Sequence, residues 1–119
     1  MVEIEPKIRA WLAKNVHARV VTDGVPADPT FPVVDVSLVG VNDLEDASAS
    51  NAKRYTIAIK SYGKTYREAR KTSLEVEDAM NALDTQPYFY DVTEISRYEA
   101  EKTAQYTVFN AGYVILFIS

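Results

Sequence analysis

The segment from Lys53 to Leu83 constrains the fold more than any other part of the chain, because it places a strand pattern directly before a helix pattern. Residues 54–61 alternate with a period of two, which is typical of a strand with one buried face. The side chains predicted on the buried face are Tyr55, Ile57 and Ile59. Those predicted on the opposite face are Arg54, Thr56, Ala58 and Lys60. The segment therefore predicts a half-buried strand that leads into a helix.

The helix of this segment has a start signal and a stop signal. After a turn at 62–64, Thr65 and Glu68 have the spacing of a capping box, in which the threonine hydroxyl accepts from a backbone N–H and the glutamate reaches back to the threonine N–H. A helix is predicted from about Tyr66, and Pro87 favours its end before that residue. One buried stripe is predicted along it, at Tyr66, Ala69, Ser73, Val76, Met80 and Leu83.

The rest of the chain is predicted to form one further helix and four further strands. The helix covers residues 2–14, where Ile4, Ile8, Trp11 and Leu12 share one face. The strands are predicted at 16–22, 31–39, 88–98 and 103–118, with loops at 23–29 and 40–52 and a hairpin tip at 99–102. The order α-β-β-β-α-β-β predicts a single α+β domain over residues 1–119. Its architecture is a two-layer sandwich, with a largely antiparallel sheet of about five strands and two helices on one face.

Two irregularities are expected in the last two strands. Ile95 breaks the alternation of its strand, so a bulge or kink is expected near Thr93. Gly112 is expected to mark a bend in the long last strand. Residues 113–118 are apolar on both faces, so we expect one face to meet the helices and the other to meet the rest of the fold or another subunit.

The composition narrows the classes of function. A net charge of −4 and a pI near 5.0 argue against non-specific nucleic-acid binding through bulk charge. The chain has no cysteine, which excludes disulfides and thiolate metal sites, and His17 is its only histidine. The acidic first residues lack the apolar core of a signal peptide, and no apolar run is long enough to span a membrane. We therefore expect a protein that is made and kept in the cytosol unless something else carries it out.

No group of residues has the pattern of an active site. His17 lies in a strand beside Arg19, without a serine or aspartate at a catalytic spacing. Asp43, Glu45 and Asp46 make an acidic loop that lacks the further oxygen ligands and central glycine of a calcium loop. The four glycines are isolated, so no phosphate-binding loop is predicted. We predict no catalytic, metal or cofactor site and expect that the protein is not an enzyme.

The charges on the second predicted helix oppose the helix dipole, which prefers acids first and bases last. The basic block contains Lys64, Arg67, Arg70 and Lys71, and the acidic block contains Glu75, Glu77 and Asp78. One interpretation is compensation through pairs within the helix, such as Lys71 with Glu75. The other is that a subunit or ligand needs the two blocks separated, as in the head-to-tail contacts of a ring. These seven residues are the candidate subunit interface.

Tyrosine is unusually common, with eight residues in the chain. Those in the last two predicted strands are Tyr88, Tyr90, Tyr98, Tyr106 and Tyr113. Tyrosine is frequent at protein–protein contacts because its side chain is large, stiff and amphipathic. Ordinary β propensity on a half-exposed sheet explains the same pattern, so both interpretations stay open.

Several short stretches, in their order along the chain, carry a resemblance to a known family. They are Phe31-Pro32-Val33-Val34, Tyr55-Thr56-Ile57-Ala58-Ile59, Tyr62-Gly63 and Tyr66-Arg67-Glu68-Ala69. Together with the N-terminal helix, the long polar loop and the closing hairpin, they make nearly the whole chain resemble the tail terminator, or tail completion, proteins of long-tailed bacteriophages. Other small head–tail neck proteins of phages share this size.

The resemblance implies a structural role without catalytic residues or cofactors. Tail terminators form hexameric rings on the end of the tail tube, stop its growth and present the docking surface for the capsid connector. The implied partners are further copies of the chain, the tail tube protein and head–tail connector proteins, with no membrane and no specific nucleic acid. The implied location is the virion, after assembly in the host cytoplasm. The candidate docking loop comprises Asn42, Asp43, Leu44, Glu45 and Asp46.

Two other classes of function remain as alternatives. The first is a small α+β ligand-binding or nucleic-acid-binding regulatory module, whose sheet exposes tyrosines for stacking. Against it, Tyr55 is predicted on the opposite face of its strand from Arg54 and Lys60. The second is an enzyme that uses the acidic loop at residues 43–46. Flanking genes for portal, capsid and tail-tube proteins would favour the terminator.

Overall fold

The computed structural model describes residues 3–22, 24, 30–43 and 52–118. The helices are α1 (Ile4–Asn15) and α2 (Tyr66–Asn81), and a 3-10 turn at Leu83–Thr85 follows α2. The strands are β1 (Arg19–Thr22), β2 (Val33–Asp43), β3 (Ala52–Gly63), β4 (Phe89–Lys102) and β5 (Thr107–Ile118). They form one sheet of order β1-β2-β3-β5-β4, in which only the β1–β2 pair is parallel. The predicted α+β class and element order are confirmed.

The core lies between the two helices and one face of the sheet. Its largest fully buried members on the sheet are Tyr113, Phe117, Ile57, Ile59 and Ile115, and those on the helical side are Ile8, Leu12, Met80 and Leu83. This face receives Tyr55 as well, as its period of two predicts. Trp11 of α1 donates its indole N–H to the Ala79 carbonyl of α2 at 2.7 Å, which ties the two helices together.

The connection between β3 and α2 leaves no room for a side chain at Gly63. A Cβ placed on Gly63 would lie 2.3 Å from the backbone nitrogen of Ala69, so only glycine fits between β3 and the first turn of α2. Thr65 caps α2 as predicted, because its hydroxyl accepts from the Glu68 N–H at 3.1 Å. The Glu68 carboxylate differs from the prediction: it accepts from the Lys64 N–H at 2.8 Å, one residue before the cap.

Three predicted boundaries are wrong. The loop predicted from Gly40 begins later, because β2 continues to Asp43 and pairs with β3 as far as Lys53. Residues 44–51 of that predicted loop lie outside the described residues. The predicted hairpin tip at 99–102 belongs to β4, and the turn lies at 103–106, so β5 has 12 residues. The strand predicted at 16–22 is shorter, since β1 begins at Arg19.

Edge strand β4 is interrupted three times by shifts in its pairing with β5, at Tyr90, Ile95 and Ala100. The middle shift is the irregularity expected near Thr93. Gly112 lies opposite it, and the β3–β5 register runs through the glycine without interruption. A Cβ on Gly112 would lie 2.8 Å from the Ser96 hydroxyl oxygen and 3.2 Å from a side-chain carbon of Ile95. The glycine therefore makes room for the bulge of the neighbouring strand.

The second face of the sheet carries its own aromatic cluster. The Tyr106 ring lies 6.0 Å from the Phe31 ring and 5.6 Å from the Tyr62 ring, beside the buried Val33 and Asp35. Burial, followed by the charge of Asp35, raises the pKa of Tyr62 above its ordinary value. Further along this face Val114, Leu116 and Ile118 are half-buried, and the alternate residues of β5 lie in the core. The expectation that one face of 113–118 meets the helices is confirmed, and the contact expected on its other face stays a prediction.

Candidate protein-interaction surface on the second helix

The side of α2 that points away from the sheet includes five exposed residues, which we call the outer face: Arg67, Arg70, Lys71, Leu74 and Asp78. Their spacings of three and four place them on one side of a helix. Leu74 is 39% exposed and lies in the middle, with the basic residues toward the N-terminus and Asp78 toward the C-terminus. With Tyr66 and Glu75 these residues line a shallow groove along the helix.

The structure divides the predicted acidic block into two parts. Glu75 accepts a hydrogen bond from the His17 N–H at 2.8 Å, and its carboxylate lies 3.4 Å from the His17 ring nitrogen Nδ1. Glu77 pairs with Arg97 of β4 at 3.1 Å. Two of the three acids therefore tie α2 to neighbouring elements, and Asp78 alone of the three belongs to the outer face.

Arg97 is the residue at the centre of the polar contacts between α2 and the sheet, and the sequence did not single it out. Its guanidinium donates to the Glu94 carboxylate at 2.8 Å, to the Ser73 carbonyl at 3.2 Å and to the Ser73 hydroxyl at 3.1 Å. It also lies 3.4 Å from the Tyr113 hydroxyl, which it contacts as a donor. The only signal in the sequence was the break in alternation at Ile95. The bulge at that residue turns Arg97 toward the helices.

The same cluster controls the ionisation of its members. Burial lowers the pKa of Arg97, but the hydrogen bond to Glu94 and the charges of Glu94 and Glu77 raise it by more, so the net shift is upward. Burial, followed by the charge of Glu94, raises the pKa of Tyr113 to about 12. The cluster thus holds a charged arginine against a neutral phenol, an arrangement that joins helix to sheet.

The charged groups of the outer face have no such contacts. Among the described residues, the side chains of Arg67, Arg70, Lys71 and Asp78 form no ion pair or hydrogen bond. The pair of Lys71 with Glu75, one of the two interpretations of the sequence, is replaced by the contact of Glu75 with His17. Lys64, the remaining member of the basic block, is exposed at the turn before α2.

The candidate docking loop is described only at its start. Asn42 is exposed on β2, Asp43 is the last residue of that strand, and Leu44, Glu45 and Asp46 lie outside the described residues. Just before it, Leu38, Val39 and Val41 are 41%, 66% and 48% exposed. The strand that leads to the loop therefore presents apolar side chains to solvent.

Other kinds of site find little support in the described part of the chain. It contains no group of three or more His, Asp or Glu side chains placed to hold a metal ion. Over the same residues, neither helix has the length and apolar character needed to cross a bilayer. On the second face of the sheet, Arg54 and Lys60 of β3 lie level with Asp91 and Tyr98 of β4, so the face mixes both signs of charge. A continuous basic track for a phosphate backbone requires one sign.

Comparison with known proteins identifies the fold. No protein-family model matches the chain, and no curated protein sequence matches it significantly. Among solved structures, a chain of the "Virion of native gene transfer agent (GTA) particle" is similar, with a TM-score of 0.57 and 17% sequence identity. The alignment covers 94% of this chain and 84% of that chain. At this identity the likeness shows a shared fold over nearly the whole domain.

Proposed function

We propose that the protein is a structural component of a phage or phage-like virion and acts as a tail terminator. In this role it forms a hexameric ring on the end of the tail tube, stops tube growth and presents a docking surface to the head–tail connector. The observation that carries the proposal is the likeness in fold, over 94% of this chain, to a chain of a gene transfer agent virion. The protein is then assembled in the host cytoplasm, acts in the virion and has no enzymatic activity.

The outer face of α2 supports a role in assembly. A ring with head-to-tail contacts needs two different surfaces on each subunit, and complementary charge favours the correct partner. Arg67, Arg70 and Lys71 are exposed and lack partners within the described chain, so they are available to an acidic surface of a neighbouring subunit. Of the seven candidate interface residues, Glu75 and Glu77 contribute less, because they serve contacts within the subunit.

The second proposed contact joins the ring to the connector through residues 42–46. Asn42 and Asp43 are the last two residues of β2, and Leu38, Val39 and Val41 of the same strand are exposed. Exposed apolar side chains next to a polar segment are typical of protein–protein contacts. In this proposal the ring binds the end of the tail tube, and residues 42–46 of each subunit bind the connector.

Tube growth in vitro tests the proposal. Purified tail tube protein from the same source is polymerised with increasing amounts of this protein, and tube lengths are measured by negative-stain electron microscopy. A terminator shortens the tubes in proportion to its amount and leaves a ring at one end of each. Unchanged lengths with bare ends at every ratio contradict the proposal.

A charge-reversal variant sharpens the test. Arg67→Glu with Arg70→Glu is expected to abolish capping, and Arg54→Glu with Lys60→Glu makes the same charge change on the opposite face of the sheet. Capping by the control but not by the α2 variant assigns the contact to the outer face. Equal capping by both removes Arg67 and Arg70 from the interface.

A further inference from the structure

The outer face of α2 is complementary to itself when the helix is reversed about Leu74. Arg70 lies four residues before Leu74, and Asp78 lies four residues after it. Lys71 lies three residues before Leu74, and Glu77, at the side of the outer face, lies three residues after it. Reversal of the helix direction therefore exchanges bases for acids at matching positions.

Two antiparallel copies of α2 convert this pattern into pairs of opposite charge. With a rise of about 1.5 Å per residue, residues four apart lie about 6 Å along the axis, so alignment of the two Leu74 side chains places Arg70 beside Asp78 of the second copy. Packed helices approach to about 8–10 Å between axes, within reach of long side chains. The Arg70–Asp78 pair occurs twice in such a contact, since a two-fold axis repeats every interaction.

The state of the neighbouring residues fits this pairing. Leu74 is 39% exposed at the centre of the groove and gains burial against its copy. Arg70 and Asp78 have no side-chain partner among the described residues, so pairing does not require that an existing contact breaks. The Glu77 side chain is 34% exposed and still accessible to a lysine while it holds Arg97.

We propose that the free protein forms a two-fold dimer through antiparallel packing of α2 on α2 of a second copy. The contact closes after two subunits and does not build a ring. It occupies the same basic residues that the proposed ring contact uses, so it shields them until assembly begins; this consequence rests on the proposed function, whereas the dimer itself does not.

The dimer is expected to be weak and sensitive to salt. A helix of 16 residues is about 24 Å long, and a contact of this length falls at the small end of protein interfaces. Its pairs are exposed, and the screening length falls from about 10 Å at 0.1 M salt to about 3 Å at 1 M salt. Association is therefore expected at low salt in the range of about 10 µM to 1 mM protein and lost at high salt.

Sedimentation equilibrium of the free protein with single charge reversals tests the pairing. Arg70→Asp and Asp78→Arg each place like charges opposite each other twice, so each variant alone is expected to dissociate, with Kd raised about tenfold or more. In an equimolar mixture of the two variants, both pairs regain opposite charges, and a dimer is expected to return. Lys60→Asp, on the far face of the sheet, serves as the control and keeps the dimer.

The outcomes separate this inference from the proposed function. Monomeric wild type at the highest concentration in low salt, variants that associate like the wild type, or a mixture that stays dissociated would each overturn the dimer. Tube capping can still succeed in any of those cases.

Discussion

The inner and outer faces of α2 differ in where their polar groups find partners. On the inner side, Ser73 and Glu77 contact Arg97 of β4, and Thr72 donates its hydroxyl hydrogen to the Glu68 carbonyl at 2.9 Å. On the outer face, Arg67 and Arg70 have no side-chain partner within the described part of the chain. One helix thus carries polar residues that contact other parts of the domain and polar residues that have no partner within its described part.

The difference separates two interpretations that the sequence left open. The bases and acids of α2 run against the helix dipole, and pairing within the helix was one way to offset that cost. In the structure, Glu75 contacts His17 and Glu77 contacts Arg97, while the basic residues of α2 are exposed. The unfavourable arrangement is therefore not relieved within the helix, which favours contacts of the outer face with another protein.

The largest expected effect comes from the core side of α2. Met80 is fully buried, and Met80→Ala is expected to lower the free energy of unfolding by about 3 kcal/mol, because it removes buried surface and leaves a cavity. Leu74→Ala on the outer face is its matched control, with an expected change within about 0.5 kcal/mol. Urea unfolding followed by circular dichroism measures both. Equal losses for the two variants would contradict the division of α2 into two faces.

The next largest effect on stability is expected at Arg97, and Arg70, which has no side-chain partner among the described residues, serves for comparison. Arg97→Met removes every hydrogen bond to Glu94, Ser73 and Tyr113 and is expected to cost about 2 kcal/mol of stability, because partly buried acceptors lose a charged donor. Arg70→Met removes an unpartnered guanidinium and is expected to change stability by no more than about 0.5 kcal/mol. The same urea titration measures both variants, and a cost at Arg70 equal to that at Arg97 would show that the outer face contributes to the fold.

A smaller effect is expected at alkaline pH. The pKa of Tyr113 is raised from 10.0 to about 12, so the folded protein keeps the phenol proton where the unfolded chain loses it. The stability contributed by this shift is complete below about pH 10 and is lost as the pH rises toward 12. Tyr113→Phe lacks this titration, and its melting temperature is expected to fall less steeply than that of the wild type over this range. Parallel slopes for the two proteins would exclude Tyr113 as a contributor.

The elements predicted correctly are those that are determined by their own residues and immediate neighbours. The strand at 54–61, the Thr65 cap and the start of α2 at Tyr66 follow from periodicity and capping over a few residues. The end of β2 was missed, because Gly40 and Asn42 have a loop composition and owe their strand conformation to pairing with Thr56 and Arg54. Local composition does not report the partner of a strand.

The same limit applies to the candidate site. The charge blocks of α2 were visible in the sequence, but the assignment of Glu75 to His17 and of Glu77 to Arg97 depends on residues 58 and 20 positions away. The extension of β4 to Lys102 was hidden for a related reason: as an exposed edge strand its last residues are polar on both faces and have the composition of a turn. These features follow from tertiary packing and could not be predicted from the residues around them.

The most direct test of the account is the native mass of the protein by light scattering, measured with and without purified tail tubes from the same source. The wild type is expected to be recruited to tube ends, and the variant with Arg67→Glu and Arg70→Glu is expected not to bind tubes while it remains folded. A wild-type protein that does not bind tubes at any concentration would contradict the proposal that this chain caps tail tubes.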